Sequence, residues 1–204
     1  EHHSVLLPFQ ELALRTGATL KWFDLDEEGR VRSDTADEVI TDRTKIVAVT
    51  HVGNTTGAIT DIAPIIRRAH EVGAVFVLDA CQSVPHLKVD FHALDVDFAA
   101  WSAHKMYGPT GVGFLYGKRE MLEALPPANF GGSMVELAWM DQEAQYMEPP
   151  ARFEAGTQPV AQVVAAGVAA EWLMNIGMEK LEAHERTITD ELLKMGDIDG
   201  IRIL

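Results

Sequence analysis

The stretch WSAHKMYGPTGVG, residues 101–113, sets Lys105 directly after the apolar run Phe98–Trp101 and just before a glycine-rich turn. A primary amine at the end of a strand is placed to attack a carbonyl and form a Schiff base. Other apolar runs also end on polar groups: AVFVLDA (74–80) carries Asp79, with Gln82 three residues on, and KIVAVTH (45–51) leads to Asn54. Ser102 and His104 flank the lysine. Open α/β sheets bind their ligands at the carboxyl ends of strands, so these groups converge on one expected crevice. A strand-end carboxylate can hold a protonated pyridine nitrogen, since an opposed charge pair about 4 Å apart is worth roughly 4 kcal/mol at an effective dielectric of about 20. That pairing keeps pyridoxal 5′-phosphate electron-withdrawing. Asn54, Asp79, Gln82, Ser102, His104 and Lys105 therefore read as a candidate cofactor-binding set.

The elements that must position them follow from the hydrophobic pattern. Short apolar runs at 19–25 (TLKWFDL), 45–51, 74–80, 97–102 (DFAAWS) and 111–117 (GVGFLYG) predict strands, several of them continuously apolar as strands covered on both faces are. Helix-period segments lie between them, so the fold class is α/β, a mostly parallel sheet covered by helices on both faces. GVGFLYG follows its predecessor after a turn and no helix, which marks it as the antiparallel exception. Thr35 with Glu38 forms a capping-box signature, and Asp61 is placed to cap DIAPIIRRAHEVG, which Gly73 closes. Residues 125–150, bounded by proline pairs, predict an irregular excursion serving an interface or a site. VAQVVAAGVAAEWLMNIG (160–177) is apolar nearly all round and predicts a buried helix; EKLEAHERTITDELLKMG (179–196) is amphipathic. Residues 1–177 read as one unit, with 178–204 as a linker helix and the start of a second domain whose first strand is IRIL.

Composition excludes several classes. Seventeen basic against thirty-one acidic side chains give a formal charge of −14, which repels nucleic acid and anionic lipid surfaces. One cysteine permits no internal disulfide and fits a reducing, cytoplasmic setting, and no apolar run reaches membrane-spanning length. GPTGVGFLYGK misses the phosphate-loop spacing by a residue and has Arg119 where a hydroxyl must bind magnesium. His70–Glu71 and His184–Glu185 each lack the second histidine of a zinc-protease helix, so no metal is expected. No glycine-flanked nucleophilic serine is present in strand–turn–helix context.

The segments EHHSVLLPFQ, THVGNTTG, DACQSVPH, SAHKMYGPTGVGFLYGK, GGSM and RFEAGTQP, in this order, resemble the SufS-like cysteine desulfurases and related selenocysteine lyases of the class V aminotransferase group. The resemblance covers essentially the whole chain. It implies a fold-type I pyridoxal-phosphate enzyme, a homodimer with active sites near the subunit interface, which takes sulfur from L-cysteine for iron–sulfur cluster assembly, releases L-alanine and passes sulfur on to an acceptor protein. Carried onto this sequence, it makes Lys105 the Schiff-base lysine and His2 the imidazole stacked on the cofactor ring. Asp79 would pair with the pyridine nitrogen, and Asn54 and Gln82 would hydrogen-bond around the phenolic oxygen. Ser102 and His104 would hold the phosphate, and Thr157 would reach the phosphate of the neighbouring subunit's cofactor. The family's catalytic cysteine and carboxylate-clamping arginine lie beyond the position where this chain stops, so the resemblance is to the middle of such an enzyme.

Other readings of the same residues stand beside these. A lone strand-end lysine is usually a solvated charge, Asp79 can cap a turn, and Gln82 and Ser102 can serve as surface or backbone-satisfying groups. His3 and His51 read as structural, and His86, His92 and the helix histidines as surface residues. Cys81, the only thiol, reads as a small packing residue. A kynureninase-like hydrolase or an aminotransferase would share Asp79 and Lys105 but not the run from SAHKMYGPTG to RFEAGT. A non-catalytic cofactor-binding or pairing fragment would keep the cofactor residues alone.

Overall fold

A computed structural model describes residues 1–201 and 203. Four strands, β1 (Ile46–Thr50), β2 (Val75–Asp79), β3 (Phe98–Ser102) and β4 (Gly113–Gly117), form one sheet in the order β1-β2-β3-β4. The first three are parallel and β4 runs antiparallel to β3. The mixed, mostly parallel sheet flanked by helices is the α/β class expected, with GVGFLYG as the antiparallel member.

The helices are α1 (His3–Thr16), α2 (Ala36–Val39), α3 (Ala63–Glu71), α4 (Arg119–Ala124), α5 (Val160–Ile176) and α6 (Met178–Leu193). Successive strand residues face opposite sides of a sheet, and here Val47, Val49, Phe76, Leu78 and Ala99 point one way. They pack with Ile62, Ile65, Ile66 and Ala69 of α3 and its approach as the core. The other face carries Ala48, Thr50, Val77, Asp79, Ala100 and Ser102, each half-buried or exposed. This alternation keeps the polar strand ends out of the core.

Several local expectations give way to longer-range packing. Residues 19–25 form no strand; only Leu25 makes a bridge, antiparallel to Val31, because in the alternation Lys21-Trp22-Phe23-Asp24 Phe23 alone reaches the core. The Thr35 hydroxyl donates back to the Arg32 carbonyl at 2.7 Å, so the capping box does not form and α2 begins without a side-chain cap. Asp61 does accept from the Ala63 N–H at 3.3 Å, and Gly73 closes α3 in the left-handed region (φ 72°). The link from β2 to β3 is a run of turns with no helix, held in part by the Asp90 carboxylate on the N–H groups of His92 and Ala93.

Helix α5 is not the buried helix its composition predicts. Ala166, Ala169 and Leu173 are buried, while Val160, Val164, Val168 and Trp172 stand more than half exposed in a row four residues apart. Apolar composition says a surface will be covered but not by what. The excursion at 125–150 is partly ordered as a two-stranded ladder, β5 (Val135–Leu137) with β6 (Gln145–Tyr146). Helix α6 buries none of its residues. Of the expected strand IRIL, Arg202 and Leu204 lie outside the described residues. Among the described residues no single helix is long and apolar enough to cross a membrane.

Candidate active site

The sheet register builds the site. Thr50, Asp79 and Ala100 stand side by side on β1, β2 and β3, on the face turned away from α3. The ladder runs one residue further, with His51 N–H donating to the Asp79 carbonyl and Ala80 N–H to the Ala100 carbonyl, both at 3.0 Å. The Asp79 carbonyl is thus tied to β1 and the residue after it to β3, with Thr50 and Ala100 as its neighbours across the two pairings. One carboxylate oxygen accepts the Cys81 N–H at 2.9 Å.

Ser102 ends β3 on the same face, and residues 103–106 then close a single 3₁₀ turn that carries Lys105. Tyr107 takes the left-handed conformation (φ 62°), and Gly108 N–H returns to the Ala103 carbonyl at 2.9 Å. A Cβ at Gly108 would lie 2.8 Å from that carbonyl oxygen and 3.1 Å from the Ala103 Cβ, so the turn closes only over glycine. This is why a lysine at a strand end is followed at once by a glycine turn: the turn aims it. Lys105 is half-buried and has no salt-bridge partner among the described residues.

The Cys81 thiol locates the cluster. Burial pushes its pKa up, the Asp79 carboxylate adds to the rise, and Lys105 and Ser102 oppose it. All three side chains therefore lie near enough to act on the one thiol. Beside them Gln82 donates from its amide nitrogen to the Asn54 carbonyl oxygen, which leaves the Asn54 NH2 group as a donor.

Among the described residues no hydrogen bond joins His2 to the cluster, but its neighbour Glu1 reaches β1. Glu1 accepts from Thr50 N–H at 3.0 Å and from Thr50 Oγ–H at 2.7 Å, which ties the start of α1 to the strand position beside Asp79. The His2 ring caps α1, with Nδ1 accepting from the Ser4 N–H. Among the described residues no hydrogen bond joins His104 or Thr157 to the cluster. His104 is exposed in the 3₁₀ turn, and Thr157 is exposed in the loop before α5, which Gly156 N–H ties to the Gly132 carbonyl at 2.8 Å.

Two features escape a reading by motif. His51 is half-buried with its Nδ1 atom enclosed and unpartnered, and burial lowers its pKa. At the opposite ends of the strands, fully buried Asp97 accepts from Phe76 N–H at 2.8 Å and Lys118 Nζ at 2.7 Å, and contacts His70 Nε2 at 3.0 Å. His70 is therefore no surface histidine. Burial pushes the Asp97 carboxyl up, and Lys118, the Phe76 amide and His70 outweigh it, leaving it below the ordinary value. His86, also half-buried, bonds Glu185 of α6 at 2.8 Å.

The donor set fits pyridoxal phosphate. The cofactor's aldehyde requires an amine without a competing carboxylate, its pyridine nitrogen a carboxylate, its phenolic oxygen a neutral donor and its phosphate hydroxyl or ring N–H donors. Lys105, Asp79, Asn54, and Ser102 with His104 are of those types, and the sheet sets Asp79 beside the strand that ends on Ser102 and leads into the turn carrying Lys105.

A family model for Aminotransferase class-V matches residues 1–204. The chain is 48% identical over 205 residues to "Probable cysteine desulfurase 2" of Mycobacterium leprae, an alignment that covers 100% of this chain and 48% of that protein. The cysteine desulfurase CsdA of Escherichia coli, in its S-sulfonic acid form, superposes with a TM-score of 0.91 at 38% identity, over 96% of this chain and 49% of that one. The apo cysteine desulfurase of Thermococcus onnurineus NA1 gives 0.92 at 35% identity, over 97% and 49%. The chain spans about half the length of the relatives it matches.

Proposed function

The chain belongs to the aminotransferase class-V family, and from that premise we propose that it is the cofactor-holding half of a cysteine desulfurase, residues 1–177 forming the pyridoxal-phosphate unit and 178–204 leading into a second domain. The substrate is L-cysteine and the products are L-alanine and a sulfur atom carried by an enzyme thiol. What supports the reading is the register that sets Asp79 beside the end of β3, where Ser102 and the turn carrying Lys105 follow on the same side as the Cys81 thiol they act on. Its cytoplasmic setting, a homodimeric state, a sulfur-acceptor protein and a role in iron–sulfur cluster assembly belong to the same proposal, and the relatives' names support its activity.

When bound, pyridoxal phosphate supplies an electron sink for the charge left when a proton leaves the substrate α-carbon. Lys105 would hold the cofactor through its amine and, as a free amine, would move the proton at the substrate α-carbon. Asp79 would keep a proton on the pyridine nitrogen, its carbonyl tied to β1 and the next residue tied to β3. Asn54, oriented by Gln82, would donate toward the phenolic oxygen. Ser102 and His104 would bind phosphate, His2 would pack on the ring, and Thr157 would reach the phosphate in the neighbouring subunit. Cys81 is not the sulfur acceptor, since a thiol with a raised pKa beside a carboxylate is a poor nucleophile at neutral pH.

Borohydride reduction of the protein loaded with pyridoxal phosphate, followed by peptide mass analysis, tests the reading. The pyridoxyl group is expected on Lys105. A label on Lys45 or Lys118 instead would refute the assignment.

A further inference from the structure

We propose that Glu1 is a positioning residue whose carboxylate clamps the outer edge of β1 and so holds His2 at the strand-end crevice; this rests on the reading of that crevice as the cofactor site. Glu1 takes both hydrogen bonds from a single residue, at 3.0 Å from the Thr50 N–H and 2.7 Å from its hydroxyl. Alternate amides of a strand point to opposite edges. The His51 N–H points into the sheet, onto the Asp79 carbonyl, so the Thr50 N–H points outward. It lies along the edge of β1 that pairs with no other strand among the described residues. The carboxylate satisfies a donor that the sheet leaves open.

Thr50 is also the register partner of Asp79. The residue before His2 is thereby fixed to the same rung of the sheet as the carboxylate assigned to the cofactor ring. Adjacent Cα atoms are about 3.8 Å apart, so an anchor on Glu1 limits how far the His2 backbone can move from the end of β1. From its other side the ring is held by Ser4, whose N–H donates to Nδ1 at 3.1 Å. An N–H can only donate, so Nδ1 is the acceptor and a neutral ring carries its proton on Nε2. Glu1 thus sets the place of the imidazole, and Ser4 sets its tautomer and tilt. A ring that packs on a flat cofactor needs both.

Glu1→Ala, Glu1→Gln and Thr50→Val test this, with Glu11→Ala on the exposed side of α1 as control. In the cofactor-free protein, hydrogen exchange at the Thr50 amide is expected to rise about tenfold in Glu1→Ala, for the loss of one charge-assisted hydrogen bond. In the loaded protein, the dissociation constant of pyridoxal phosphate should rise roughly five- to tenfold. The visible circular dichroism per bound cofactor should fall, while borohydride still labels Lys105 at saturation. Glu1→Gln keeps one acceptor oxygen for the amide and should lie between, and Thr50→Val should add nothing to Glu1→Ala in the double variant. A Glu1→Ala protein with a lower melting temperature but unchanged dichroism per bound cofactor would overturn the proposal, because that is the outcome of a merely structural contact. Unchanged exchange at Thr50 would overturn it as well. Failure of wild type to label Lys105 would instead bring down the cofactor reading and the proposal with it.

Discussion

Asp97→Asn is expected to destabilise the fold at neutral pH by about 2–3 kcal/mol. The carboxylate is fully buried and bonds the Lys118 ammonium, itself largely buried, at 2.7 Å while holding the Phe76 N–H at 2.8 Å. An asparagine still offers an oxygen to Phe76, but its NH2 group faces the ammonium, donor against donor. Breaking a buried pair costs about 3–5 kcal/mol when the remaining charge has no other partner. Here Lys118 keeps Asp95, which lowers the figure. For a chain of this size the loss corresponds to a fall in melting temperature of about 4–12 °C. Its pH dependence has a definite sign. The folded pKa of Asp97 is depressed, so its stabilisation is present above the unfolded value of about 3.9 and is lost as pH falls through the folded value. The folded pKa of Lys118 is raised by Asp95 and Asp97 against the effect of burial, so its stabilisation is present below about 10.4 and is lost as pH rises through the folded value. The gap between wild type and Asp97→Asn in thermal unfolding should therefore be widest in the neutral range and narrow toward both extremes. A gap under about 0.5 kcal/mol, or one that stays constant down to a pH of about 3, would refute the reasoning.

Gly108→Ala should open the turn that aims Lys105, at a cost of about 1–3 kcal/mol, and lose most borohydride labelling of Lys105 while the sheet stays folded by circular dichroism; wild-type labelling would contradict this. Cys81→Ala should leave pyridoxal-phosphate uptake within about twofold of wild type, and the wild-type thiol should react slowly with a disulfide reagent at neutral pH. A persulfide on Cys81 after incubation with L-cysteine would make it the sulfur acceptor after all. In the whole dimeric protein, subunits carrying Lys105→Ala mixed with subunits carrying Thr157→Ala should give heterodimers with one intact site and about half of wild-type activity if Thr157 acts across the interface. Heterodimers without an intact site would place Thr157 in its own subunit's site.

What could be read from the residues, and what could not, divides by the range of the forces involved. The continuous apolar runs at 45–51, 74–80, 97–102 and 111–117 are local patterns, and each contains a strand of the sheet. The absence of a helix before GVGFLYG predicted its antiparallel direction, because a parallel return needs a long crossover. Asp79 and Lys105 could be recognised as strand-end groups for the same reason, and the register then set Asp79 beside the strand that leads to Ser102 and Lys105. Thr35 and Glu38 have the spacing of a capping box, yet the hydroxyl finds a nearer acceptor in the Arg32 carbonyl. Residues 160–177 have the composition of a buried helix, yet burial is a property of two surfaces and a sequence window contains one. The pairs that hold the strand ends are further from view. Asp97 and Lys118 are 21 positions apart and Glu1 and Thr50 are 49 apart, with no periodicity joining either pair. A side chain that does chemistry must stand at a geometrically special place, such as a strand end, which leaves a local signature. One that only holds another in position needs nothing but proximity, and proximity across the fold appears only once the register of the strands is known.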